Sequence, residues 1–209
     1  YLPRPLGYVD ELGLLLEEAI PGKPVAGNRM SVEFGLAAYA AAEAAAVIHE
    51  SLVPADGEVF RIEAELGRLD RVTQQFIQVH PKAAFLLSDL VVHMREHVRA
   101  TEEEAWLPTH GDLKYDQFMQ QDGIYTLIDF DYFAMAETSY DLAKFCAYLI
   151  PSAPRDWEDT VAAEATRRAF LRRYRPLRPD AAPRRFPSYE APVTPLLPLP
   201  MRWAQRANG

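Results

Sequence analysis

The sequence predicts an α+β fold, mostly helical with one short β-hairpin, on three observations. Apolar residues recur at helical spacing in several separated stretches. Two β-prone runs, Phe118-Met119 and Ile124 to Ile128, flank turn chemistry at Gln120-Gln121-Asp122-Gly123. A third apolar run, Leu14 to Ile20, is bracketed too closely by Gly13 and Pro21-Gly22 for a long helix, and reads as a buried strand entering a loop.

The helices follow in order. Ser31 is a good N-cap, Glu33 suits the first turn, and Val32 to His49 is an Ala-rich helix whose small side chains permit close packing. Pro54-Ala55-Asp56-Gly57 ends that segment. Ile62, Leu66, Leu69, Val72, Phe76 and Val79 mark a second helix that His80-Pro81 stops. Leu87, Val91, Met94 and Val98 mark a third, closing on Glu102-Glu103-Glu104, a solvated face or a lure for a cationic ligand. Tyr140 to Ile150 carries Leu142, Phe145, Cys146 and Leu149 on one face, and Pro151 and Pro154 break it. Trp157 to Tyr174 is a last helix, basic toward its end as the macrodipole favours. Pro187, Pro192, Pro195, Pro198 and Pro200 forbid a regular helix across Tyr189 to Met201, so residues 187–209 read as a Pro-rich extension.

The 209 residues suffice for one sizeable core or one lobe of something larger. A hydrophobic content of 49% with 25% charged residues is ordinary for a globular protein. The single Cys146, on an apolar face, excludes an internal disulfide and fits a reducing cytoplasm. No stretch reaches the uninterrupted apolar length of a membrane span, so no membrane partner is expected. Net charge is −8, although eight arginines lie between Arg167 and Arg185. An acidic body repels nucleic-acid phosphate and tolerates cationic ligands.

The chemistry concentrates in Thr109 to Phe145. A tight hairpin brings the residues just before it close to those just after it. Asp112 and Gln117 on one side can therefore converge with Asp129 on the other. Two carboxylates and a neutral amide oxygen are hard ligands that suit Mg²⁺ carrying a phosphate rather than zinc.

His110-Gly111-Asp112-Leu113-Lys114-Tyr115-Asp116-Gln117 resembles the H-x-D-x-x-x-x-N catalytic loop of the protein-kinase-like superfamily. The Gly after His, Ile128-Asp129-Phe130-Asp131 and Asp141-Leu142-Ala143 resemble its small-molecule branch, which holds aminoglycoside phosphotransferases, choline kinases and sugar kinases. The resemblance implies the mostly helical C-terminal lobe of a protein-kinase-like fold at residues 23–186, with ATP and a small-molecule hydroxyl acceptor as ligands. It implies Asp112 as the base, Lys114 at the γ-phosphate, and Asp129 with Gln117 as Mg²⁺ ligands. Asp141 braces the loop through its backbone N–H groups, and His110 packs beneath it. Residues 1–22 would be the end of the small lobe and its hinge, with Glu17, Glu18 and Ala19 offering backbone groups to adenine. The helices before the loop would wall the acceptor site.

Residues 1–13 show no glycine-rich phosphate loop and no strand lysine, so the chain is expected to begin where the large lobe begins. The family's second metal ligand is Asn, and Gln117 stands in its place. These departures keep open a kinase-like binding module without phosphotransfer. His93-Met94-Arg95-Glu96-His97 also matches the H-x-x-E-H pattern of a zinc peptidase, against solvated histidines near a helix end.

Overall fold

The structure, a computed structural model, describes residues 2–25, 31–51, 53–55, 59–150 and 157–190. Helices dominate, and three small sheets hold the loops between them, which is an α+β architecture. At the start, β1 (Pro5–Val9) and β2 (Leu14–Glu17) form an antiparallel pair across a 3₁₀ turn that ends at Gly13 with φ +60°. The expected buried strand is thus shorter and exposed: Leu14, Leu15 and Leu16 are 49%, 56% and 49% accessible, because nothing in the described residues covers either face of the pair.

Ser31 caps α1 (Val32–Glu50), its side chain accepting the Phe34 N–H at 3.1 Å. By length and composition α1 is apolar enough to cross a membrane, contrary to the expectation. Its Ala37, Ala38, Ala41, Ala42, Ala45 and Ala46 are instead fully buried in the core, where alanines let neighbouring elements approach closely. On this core helix pack α4 (Thr138–Leu149) and α5 (Trp157–Leu177). Phe145 of α4 stacks on Phe170 of α5 with centroids 4.3 Å apart. Cys146 lies fully buried between them, its thiol pushed well up by burial, as expected of an inert core group.

α2 (Ile62–Val79) and α3 (Pro81–Ala100) meet at His80, with Pro81 at the first position of α3 where its missing N–H does no harm. Arg95 of α3 pairs with Asp70 of α2. Of the H-x-x-E-H histidines, His93 is exposed, as a solvated histidine would be, with Nδ1 bonding the Asp89 carbonyl of its own helix at 2.8 Å. Half-buried His97 instead bonds Ser188 Oγ through Nδ1 at 2.7 Å. Among the described residues no three His, Cys, Asp or Glu side chains stand together as a metal cluster.

A three-stranded sheet of very short strands was not apparent from periodicity. Its central strand β8 (Ala134–Glu137) pairs antiparallel with β5 (Trp106–Thr109) and parallel with β4 (Val59–Phe60). β8 runs directly into α4, and the N-terminal donors of that helix are taken by Glu104. Its carboxylate accepts the Ser139 N–H at 3.1 Å, Ser139 Oγ at 2.5 Å, Thr138 Oγ1 at 3.2 Å and the Arg185 N–H at 2.7 Å. Glu103 accepts from Trp106 Nε1 and Glu102 pairs with Arg184, and both stay exposed as a solvated face would, whereas Glu104 is turned inward to cap α4. Glu104→Ala strands several of these donors, and thermal denaturation should show a loss of about 2–3 kcal/mol.

Buried Glu137 accepts Arg185 Nη1 at 2.9 Å and the Tyr189 hydroxyl at 2.7 Å, which ties residues 185–189 to the sheet. Pro187 lies in a helical turn at 186–190, so the extension's first residues are helical. The remaining prolines, with Asp56 and Gly57 of the predicted turn, fall outside the described residues.

Candidate active site

β6 (Phe118–Gln121) and β7 (Ile124–Leu127) form the expected hairpin, joined by β3 (Lys23–Pro24) at its outer edge. Gln120 and Gln121 belong to the strand rather than the turn, which is only Asp122-Gly123. Both turn residues have positive φ, 51° and 80°, the geometry that matches strand twist in a two-residue loop. The hairpin closes with the Ile128 N–H donating to the Gln117 carbonyl at 3.0 Å. Asp129 follows at φ +67°, a left-handed conformation that Asp tolerates and that side chains adopt mainly where the fold enforces it.

This geometry brings Asp112, Gln117 and Asp129 together. Gln117 Nε2 lies 2.6 Å from Asp129 Oδ2 and 3.3 Å from Asp112 Oδ2, so one amide group spans both carboxylates. The amide nitrogen thus stands between the two carboxylates. A half-turn of the same group would present its oxygen instead of its nitrogen. The extra methylene of Gln over Asn therefore does not prevent the side chain from reaching Asp129.

Asp112 is almost buried and is held by two lysines. Lys114 Nζ lies 2.8 Å from Oδ2 and Lys144 Nζ 2.9 Å from Oδ1. Burial pushes its carboxyl up, but the bonds and charges of Lys114 and Lys144 outweigh that and hold it below the usual carboxylate range. Burial likewise pulls the Lys114 ammonium down, and its Asp112 partner more than restores it.

Beneath the loop, Asp141 on α4 is fully buried. It accepts the His110 N–H at 2.7 Å and the Gly111 N–H at 2.9 Å, and lies 3.2 Å from His49 Nε2. His49 Nδ1 in turn bonds the Tyr174 hydroxyl at 2.7 Å, which links α1, α4, α5 and the loop. Burial raises Asp141, but the bond from His49 and the loop amides overcome it and leave its carboxyl lowered. Such a group stabilises the fold fully above its ordinary value of 3.8, and that contribution drains away as pH falls through the lowered value. Denaturant titrations between pH 7 and 3 should show an acid-side loss in the parent that is reduced in Asp141→Asn, whose stability is lower at pH 7.

His110 Nε2 lies 3.0 Å from the Ile128 carbonyl, and His110 Nδ1 accepts the Asp112 N–H at 3.3 Å, which fixes the Nε2–H tautomer. Phe130 packs on the imidazole with centroids 4.7 Å apart. Gly111 has φ +79°, and a Cβ there would stand 1.9 Å from the Tyr132 carbonyl oxygen. Gly111→Ala should destabilise by about 3 kcal/mol or more, read by chemical denaturation.

Near the start of the chain, Glu18, Ala19, Ile20 and Pro21 face Gln121, Ile124 and Thr126 across an open cleft of about 500 Å³. Glu18 and Ala19 thus line it, whereas Glu17 belongs to β2 and does not. The Glu18 N–H already donates to the Arg4 carbonyl at 3.0 Å.

Residues 1–186 match the phosphotransferase enzyme family. The chain belongs to that family. Solved structures share its protein-kinase-like fold. An aminoglycoside-3'-phosphotransferase of type VIII is 21% identical with a TM-score of 0.61, over 92% of this chain and 73% of that one. A choline kinase from Cryptosporidium parvum Iowa II is 12% identical with a TM-score of 0.59, over 94% and 65%. A glucosamine kinase in complex with glucosamine, ADP and inorganic phosphate is 18% identical with a TM-score of 0.53, over 78% and 47%. The chain therefore spans roughly half to three quarters of the proteins it resembles. No curated protein matches it.

Two residues tied into this candidate site, Lys144 and His49, were not found from the sequence. Lys144 had a local signal, since it lies one helical turn after Asp141, but no motif named it. His49 lies 92 residues from its partner Asp141 and had none.

Proposed function

We propose that this phosphotransferase moves the γ-phosphoryl group of ATP to a hydroxyl of a small molecule such as an aminoglycoside, sugar or amino alcohol. The observation that carries the reading is the convergence of Asp112, Gln117 and Asp129 on one point. Asp112 would orient the acceptor hydroxyl and take its proton, which its ionised, lysine-held carboxylate suits. Lys114 would turn to the phosphate charge. Asp129 and the Gln117 amide oxygen would hold Mg²⁺, and the hard-oxygen donor set fits that ion. When bound, Mg²⁺ supplies charge neutralisation of the phosphates and holds them in line. Adenine would occupy the cleft beside Ala19 and Ile20, whose breadth and mixed lining support it.

Because phosphoryl transfer asks little covalent chemistry of the protein, positioning and electrostatics carry the rate. The buried, free Cys146 supports a cytoplasmic setting. Incubation with [γ-³²P]ATP, Mg²⁺ and pooled hydroxyl metabolites and aminoglycosides tests the reading. Label should reach at least one acceptor with the parent, and not with Asp112→Asn. Nucleotide binding with no label in any pool would favour the kinase-like binding module.

A further inference from the structure

We infer that Lys144 is a positioning residue that holds the Asp112 carboxylate in its working orientation, so that Lys114 is released to the phosphates. This rests on the phosphotransfer reading. α4 addresses the catalytic loop with two side chains one turn apart. Asp141 takes the Gly111 N–H at 2.9 Å, and Lys144 Nζ donates to the Gly111 carbonyl at 2.8 Å, so both ends of that residue are fixed by the same helix. From this anchorage Lys144 also reaches Asp112 Oδ1 at 2.9 Å. Its ammonium sits over the Tyr132 and Tyr140 rings, 5.7 Å and 5.5 Å from their centroids, and only 18% of the side chain is accessible.

Lys114 holds the other oxygen, Oδ2, at 2.8 Å from within the loop itself, and shares that oxygen with Gln117. A lysine called to the phosphates must leave Oδ2. The carboxylate would then keep its place only through a second donor that is not itself called away. Lys144 meets that requirement, because its bond to the Gly111 carbonyl anchors it to the loop backbone independently of Asp112. The sequence Asp141-Leu142-Ala143-Lys144 therefore carries a brace for the loop backbone and a brace for the base in one helical turn.

Steady-state kinetics of Lys144→Met, Lys144→Arg and Lys114→Met test this, with crystal structures of each. For Lys144→Met, kcat should fall about 10²-fold, the scale of a misplaced reacting group, with the nucleotide KM unchanged. Lys144→Arg, which keeps charge and donors, should recover part of that loss. Lys114→Met should lower kcat and raise the nucleotide KM together. In the crystal structures Asp112 should leave its orientation in Lys144→Met and keep it in Lys114→Met. Parent-like kcat in Lys144→Met, or a nucleotide KM raised as in Lys114→Met, would overturn the inference. If the parent transfers phosphate to no acceptor, the phosphotransfer reading fails. The orientation of Asp112 in the Lys144→Met crystal still decides the positioning role, with an unmoved carboxylate counting against it.

Discussion

Asp112→Asn should lower kcat by roughly 10²–10⁴ with nucleotide affinity little changed, the signature of losing a proton acceptor while keeping its shape. The environment of Asp112 explains why a single atom matters so much. Lys114 and Lys144 engage its two oxygens at 2.8 Å and 2.9 Å, so the carboxylate is held in its ionised form with both oxygens paired. The Asn amide preserves volume, but one of its arms donates toward an ammonium that can only donate back. Melting temperature and nucleotide KM, measured alongside kcat, separate lost chemistry from lost folding. A variant with the parent's kcat would remove Asp112 from the mechanism.

Asp129→Ala should abolish turnover, and Gln117→Asn should retain much of it. Asp129 is reached by a left-handed turn that sets its carboxylate against Gln117, and no other residue of the constellation lies on that side of the hairpin. Alanine there deletes the only charged ligand proposed for the metal beyond the base itself. Asn at 117 keeps a neutral amide oxygen on a shorter arm, which the superfamily's loop pattern already accommodates. Turnover measured against Mg²⁺ concentration is the discriminating assay. Parent-like behaviour of Gln117→Ala at limiting Mg²⁺ would remove Gln117 from the ligand set.

The site was legible in the sequence where its geometry is local. Asp112 and Gln117 are five residues apart, and a hairpin with an Asp-Gly turn returns the chain to Asp129, so the turn signal also fixed the convergence. The helices were legible for the same reason, since caps such as Ser31 and stops such as Pro81 act within one turn. What escaped is non-local. The His49–Asp141–loop network joins residues 92 and 31 positions apart, and only packing of α1 against α4 brings them together. The β4–β8–β5 sheet escaped because strands of two to four residues carry too little alternation to register. Glu104 was read as part of a charged face because a helix cap supplied from 34 residues away has no sequence signature. Gly111 belonged to the motif, but its physical reason, the Tyr132 carbonyl in the space a Cβ would fill, is visible only in three dimensions.

The central claim is that one point between Asp112, Gln117 and Asp129 receives the cation that carries the nucleotide's phosphates. A crystal structure of the protein with Mg²⁺ and a non-hydrolysable ATP analogue tests it most directly. The Gln117 amide should be turned over, with its oxygen and an Asp129 oxygen each about 2.0–2.1 Å from the metal. A bound analogue whose metal sits on other side chains, with the Gln117 nitrogen still bonded to both carboxylates, would contradict the account.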